Sequence, residues 1–182
     1  MDPLRIIETL YRKHTRAYRI LVRHGQQVAA KALSVAGRMA HLGPDTRFIQ
    51  EAAMLHDIGM IFTRAADLGC RGRYAYVCHG HLGHQFLVRH GLRDHALVCE
   101  RHVGVGLSAA EIRRRRLPMP VRDMLPVSLE EQIICYADKF YSKNAAGDGK
   151  PKSIEQIMTE LNRFGREKAA RFETWAKQFG DR

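Results

Sequence analysis

Apolar and polar positions recur with the period of a helix along nearly the whole chain. Asp2-Pro3 reads as a cap followed by proline at the first helical position, and Leu4, Ile7, Leu10 and Tyr11 form the stripe of a first helix. A long second helix is predicted from about Arg16 to about His41, with Ile20, Leu21, His24, Val28, Ala32 and Val35 on one face. "LGPD" at 42–45 breaks the pattern, and Asp45 caps a third helix that ends in "AAMLHDIGM", residues 52–60. Residues 61–78, with Gly69 and Gly72, read as an irregular connection in which "RYAYVC" could extend briefly. Further helices are predicted over about 79–90, closed by Gly91, and from about Asp94 to Val103. Ser108 with Glu111, and Ser128 with Glu131, have the spacing of capping boxes. The first opens a short helix and the second a helix to about Asn144. The Pro-rich "LPMPVRDMLPVS" lies between them. "AAGDGKPKS" is a flexible break, after which Ser153 caps one last charged helix to about Phe179. No set of alternating strands and no repeat stands out. The expected fold is an all-α bundle of seven to nine helices in one domain, residues 1–182. Its core spans about 15–145, and the C-terminal helix, about 153–179, is appended loosely or docks on a second subunit as a homodimer.

Composition narrows the class. No apolar run is long enough for a transmembrane helix, and "MDPLRIIETLYRKH" lacks the apolar centre of a secretory signal, so a soluble cytoplasmic protein with no membrane partner is expected. Four cysteines without a C-x-x-C pair read as reduced thiols; a zinc knuckle from Cys70, Cys78 and His79 fits no common spacing. The net charge of +11 favours an anionic partner: a nucleotide, a phosphorylated metabolite or nucleic acid. The run of four arginines at 113–116 lacks interleaved aromatics and reads first as a solvated helix end, so nucleic acid is the less favoured partner.

Three polar residues fall where the apolar faces should be. His24 has Ile20 and Val28 at i−4 and i+4, His56 ends the run Ala52–Leu55, and Asp138 follows Ile134 and Cys135 by four and three residues. Each alone reads best as a hydrogen-bonded core group. Three such groups on three helices, converging in an apolar core, form a donor set of nitrogen and oxygen suited to a divalent cation.

At these residues the chain resembles a known family. "LVRHGQQVA" (21–29), "AAMLHDIGM" (52–60) and "IICYADKF" (133–140) resemble the H…HD…D signature of the HD superfamily of metal-dependent phosphohydrolases. "HGHLGHQFLVRHGL" (79–92) and "ERHVGVGLS" (100–108) resemble the extra histidine segments of its small HDIG-type members, over about residues 15–145 in all. The resemblance implies a first metal held by His24, His56, Asp57 and Asp138, and a second held by Asp57, His79 and His102, with His56 and Asp57 as the catalytic pair. It implies two divalent ions drawn from Fe, Mn, Ni, Co or Zn. Within 79–92 the family pattern places its ligand at His79; His81 lies on another face, and His84 lines or covers the pocket.

The resemblance departs at Met60, where many relatives carry a phosphate-binding lysine. Arg64, Arg101 and Lys139 are the candidates to replace it as substrate-binding residues. The implied activity is hydrolysis of a phosphate ester or anhydride in a nucleotide or small phosphorylated metabolite, dinucleoside polyphosphates among them. A non-catalytic metal- or nucleotide-binding regulatory module is the alternative, and an RNA-associated hydrolase a third. Residues 61–78, with Arg64, Arg71 and Arg73, could close over an anionic substrate.

Overall fold

The computed structural model describes residues 1–143 and 150–180. It is all-α: nine α-helices among the described residues, joined by tight helical turns and one two-residue hairpin. The helices are α1 (Pro3–Glu8), α2 (Arg16–Arg38), α3 (Thr46–Leu55), α4 (His79–Arg89), α5 (Arg93–Arg101), α6 (Ala109–Arg114), α7 (Leu129–Asp138), α8 (Ile154–Phe164) and α9 (Arg166–Phe179). Side-chain caps begin most of them. Asp2, Thr15, Asp45, Ser108, Ser128 and Ser153 each accept a hydrogen bond from a backbone N–H two or three residues on.

Three boundaries differ from expectation. The second helix ends at Arg38, and residues 40–42 close it with a tight turn into Gly43. The helix opened by Ser128 stops at Asp138 rather than near Asn144, and Asn144 itself lies outside the described residues, as does most of the expected break at 145–152. The last helix is two helices: Gly165, at φ +143°, adopts a backbone that an L side chain resists and turns the chain between α8 and α9. Residues 61–78 hold a short hairpin, β1 (Arg64–Ala65) with β2 (Cys70–Arg71), between tight turns.

Two apolar clusters flank the functional residues. One joins the C-terminal half of α2 to α3, α7, α8 and α9 through Val28, Val35, Ile49, Tyr136, Phe172 and Phe179. The other joins α1, the start of α2, the end of α3, α4 and α5 through Ile7, Tyr11, Leu21, Leu55, Leu87 and Cys99. Along α2 the second cluster ends at Leu21 and the first begins at Val28, so His24 falls between them. α9 is built into the core: Phe172 stacks on Tyr136 at 4.9 Å, and Phe179 is fully buried.

Glycines let the elements around the cluster approach closely. A Cβ on Gly59 would lie 2.1 Å from the carbonyl oxygen of His79, and one on Gly83 would lie 2.2 Å from Cys99 Sγ. Backbone therefore meets backbone where the turn after Asp57 crosses α4. No helix among the described residues is long and apolar enough to cross a membrane.

Candidate metal centre

Four helix ends and one helix interior deliver the cluster. α2 supplies His24 from its middle; α3 ends at His56 and Asp57; α4 begins at His79; α5 ends at His102; α7 ends at Asp138. All six side chains are buried. Their ligand atoms form two groups with one shared member: His24, His56, Asp57 and Asp138, and Asp57, His79 and His102.

Asp57 divides its oxygens between the groups. Oδ2 lies 3.2 Å from His56 Nε2 and 3.4 Å from His24 Nε2, while Oδ1 lies 3.1 Å from His79 Nε2 and 3.3 Å from His102 Nε2. Asp138 Oδ1 completes the first group, 2.9 Å from His24 Nε2 and 3.4 Å from His56 Nε2.

Backbone carbonyls set the tautomers. Nδ1 of His56, His79 and His102 lies 2.6, 2.7 and 2.8 Å from the carbonyl oxygens of Ala53, Tyr76 and Cys99, each three residues earlier. A carbonyl can only accept, so each Nδ1 donates, and the neutral ring carries its bare lone pair on Nε2. All three Nε2 atoms point into the cluster. Those of His79 and His102 face each other at 3.1 Å. Two lone pairs at that distance repel unless a cation lies against both. His56 Nε2 and Asp57 Oδ1 are buried and make no hydrogen bond. The donor set therefore fits divalent cations.

Burial and neighbouring charge tune these groups. Burial lowers His102 to about 3, and burial with the Lys143 ammonium lowers His24 to about 4, so both rings are held neutral. Burial also opposes charge on His56, but Asp57 and Asp138 outweigh it and raise that imidazole to about 9. Burial alone would raise both carboxyls. His56 and Lys143 hold Asp57, and Lys139 and Lys143 hold Asp138, well below the usual carboxylate range.

The other candidates fall in different places. Lys139 Nζ lies 2.6 Å from Asp138 Oδ2. Arg64 lines a neighbouring cavity. Arg101 is engaged elsewhere, with Nη1 donating to both oxygens of Glu131 at 2.8 and 3.0 Å. His81 and His84 face Glu100, at 3.3 and 3.9 Å, where Arg122 already neutralises the carboxylate. Met60 is fully buried in the apolar cluster and takes no part in the site. Cys78 bonds to the Pro118 carbonyl, and no cysteine joins a metal-ligand group among the described residues.

Two features had no sequence signal strong enough to single them out. Lys143, five residues past Asp138, places its ammonium 2.8 Å from Asp57 Oδ2 and 3.7 Å from Asp138 Oδ1. Lysines are ordinarily exposed, so nothing in the sequence marked this one. The second is a clasp on the loop after His102. Gly104, Val105 and Gly106 all have positive φ, which is costly at the branched Val105. Lys168 donates to the carbonyls of Gly104 and Gly106, and Arg171 to that of Val105. α9 thus holds the loop that lines the metal cluster. The sequence showed only a charged helix there.

The chain is similar to several known proteins. The HD domain family model matches residues 21–142. The chain is 32% identical over 125 residues to a tRNA (cytidine(56)-2'-O)-methyltransferase of Picrophilus torridus, covering 68% of this chain and 32% of that protein. It is 27% identical over 165 residues to the protein of the same name in Thermoplasma volcanium, covering 90% of this chain and 42% of the relative. An uncharacterised protein of Methanocaldococcus jannaschii is 30% identical over 143 residues, with 76% and 77% of the two chains covered. The chain thus spans well under half the length of the two methyltransferases. No solved structure matches significantly. With its H…HD…D residues gathered into one buried cluster, this chain belongs to the HD domain family.

Proposed function

We propose that the chain is a metal-dependent phosphohydrolase that cleaves a phosphate ester or anhydride in a nucleotide or small phosphorylated metabolite. The observation that carries this is Asp57, whose two oxygens face two separate sets of imidazole nitrogens. That arrangement suits two divalent ions, drawn from Fe, Mn, Ni, Co or Zn. When bound, such ions activate water and polarise a phosphoryl oxygen.

The chain's own groups supply the rest. His24, His56, Asp57 and Asp138 would hold the first ion, and Asp57, His79 and His102 the second. Lys139 and Lys143 stand beside the carboxylates with ammonium groups fit to meet the negative charge that builds on a phosphoryl group. Lys139 is one of the three residues expected from the sequence to stand in for the lysine absent at Met60, and Lys143 joins it on the strength of its position. Tyr76 stacks on His79 at 4.6 Å and fixes the plane of that ring. A phosphate-release screen over nucleotides and phosphorylated metabolites, with Mn, Ni, Co, Fe and Mg each supplied, tests the proposal. Turnover is expected with at least one metal. A metal-loaded chain inert to the whole screen would instead favour a regulatory binding module.

A second reading, action on RNA, draws on the names of the two methyltransferase relatives and on the exposed arginines 113–116. It predicts RNA affinity that falls steeply as salt rises. Affinity independent of salt, or absent, removes it.

A further inference from the structure

Two cavities reach the metal cluster, one lined by His79 and His102, the other by Arg64, and both by Asp138. A third cavity, of about 460 Å³, shares no lining residue with either. It is a cleft between two walls. One wall is the segment 61–74, which presents Phe62, Arg73 and Tyr74. The other is the face of α4 that carries Leu82, Phe86 and Arg89, spaced by four and three residues. The loop wall is fixed by its own backbone: the Tyr74 N–H donates to the Phe62 carbonyl at 3.2 Å, and the Gly72 N–H to that of Thr63 at 2.9 Å. A Cβ on Gly72 would lie 1.9 Å from the Phe62 carbonyl oxygen, so only glycine lets the two segments meet there. Arg73, one of three arginines expected to close over a substrate at the cluster, lines this cleft instead.

Each wall pairs aromatic surface with a cation. Phe62 and Phe86 are half-buried and Tyr74 is 45% exposed, so three rings meet solvent in one place. Arg89 is exposed and has no ion-pair partner among the described residues. Arg73 lies over the Tyr74 ring, 5.9 Å from its centroid, a contact that leaves its charge unneutralised. No carboxylate lines the cleft. The Gln85 amide N–H donates to His81 Nε2 at 3.0 Å, which leaves the amide oxygen to accept from a ligand. A ligand that satisfies this lining brings flat rings and negative charge together. Arginines 113–116 have the charge without interleaved rings, whereas this cleft has both. One cation on each wall asks for a phosphate on each side of a base, which a nucleotide within a chain has and a free mononucleotide lacks.

We propose that this cleft binds single-stranded RNA, with a base stacked between Tyr74 and Phe86 and the phosphates on its two sides met by Arg73 and Arg89. The Gln85 amide oxygen accepts from a ribose 2′-hydroxyl, the group that separates RNA from DNA. The site stands apart from the metal cluster and does not rest on the hydrolase reading. It deepens the RNA reading by giving it a surface other than arginines 113–116. Every base has a face to stack, so single strands should bind with little sequence preference. In a duplex the base faces are already covered by their neighbours, so paired RNA should enter poorly.

Fluorescence anisotropy with the full chain as purified and an end-labelled uridine octamer tests this. Tyr74→Ala should weaken binding by about tenfold, the scale of one base stacked on an aromatic, and leave the dependence on salt unchanged. Tyr74→Phe keeps the ring and should bind as the wild type does. Arg89→Ala should instead flatten the plot of log affinity against log salt by about 0.7, the share of one phosphate contact on a single strand. Arg114→Ala, which lines neither wall, should stay within about twofold, because salt screens a distant exposed charge. Tyr74 and Arg89 are exposed, so their variants should melt with the wild type. The proposal is overturned if Tyr74→Ala binds as well as Tyr74→Phe, or if Arg89→Ala keeps the full salt dependence. It is also overturned if duplex RNA, a deoxyuridine octamer or free UMP binds as tightly as the RNA octamer. A loss in Arg114→Ala with none in Tyr74→Ala would keep the RNA reading, move it to the basic run and overturn the cleft. No affinity for RNA in any form would remove both and leave the hydrolase reading standing.

Discussion

The two halves of the metal cluster share Asp57 and differ in almost everything else. The first half brings a second carboxylate, Asp138, and has two ammonium groups within 4 Å of its oxygens. The second half adds only the imidazole nitrogens of His79 and His102, and both of those residues line the cavity walled by Val77, Val103, Leu107 and Phe164. A site with two carboxylates attracts a divalent cation more strongly than one with a single shared carboxylate. Under the proposed function the two halves would divide the work: the first would anchor an ion in the core, once the ion displaces Lys143 from Asp57, and the second would hold its ion more weakly, beside the cavity lined by His79 and His102.

Asp57→Asn should have the largest effect, because it removes charge from both halves at once. Metal affinity should fall by more than about 100-fold, the upper end for loss of an outer partner, and turnover should vanish. Retention of both ions in that variant would dissolve the idea of a bridge. Next come the single-half variants. Asp138→Asn should cost the first ion and, through Asp57, loosen the second, whereas His102→Ala should release the second ion and leave the first at near wild-type affinity. Equal losses from the two, measured by metal titration, would mean that the halves are not distinct.

Gly59→Ala tests the close approach that sets His79 against Asp57. The added methyl meets the His79 carbonyl, so overpacking should cost about 1–3 kcal/mol or more. That corresponds to a fall in melting temperature of roughly 2–4 °C per kcal/mol. The second-half ion should weaken more than the first. An unchanged melt would contradict the packing described here. His84→Ala should be the mildest change: its ring faces Glu100, so both ions should bind as in the wild type.

Away from the metals, Glu111 gives a pH signature for the clasp of α9. Burial alone would raise its carboxyl, but Lys168 at 2.8 Å and Arg115 hold it below its ordinary value. A carboxyl depressed in the folded state contributes stability that is present above its unfolded value, about 4.3, and is lost as pH falls through the lower folded value. Metal-stripped wild type should therefore lose more melting temperature between pH 6 and 3 than Glu111→Gln does. Parallel curves would show that the clasp carries no such linkage.

Much of this was legible in the sequence, for reasons that differ by residue. Helix starts could be read because Asp2, Asp45, Ser108, Ser128 and Ser153 act locally, through their own side chains on the next turn. His24, His56 and Asp138 stood out as polar groups on apolar stripes. The break at Gly165 was hidden, because one glycine in a charged helical pattern costs only about 1 kcal/mol and need not end a helix. The end of α7 at Asp138 was hidden too, since the apolar period runs on through Phe140 and Tyr141. Lys143 and Lys168 owe their positions to what the chain brings beside them from far along the sequence. Residue type alone would place both on the surface.

Asp57 is proposed to join two unlike metal sites through one carboxylate. Elemental analysis of freshly purified, metal-reconstituted wild type and His79→Ala, run side by side, tests it most directly. Close to two ions per chain are expected in the wild type and close to one in the variant. One ion in the wild type that persists unchanged in His79→Ala would contradict it.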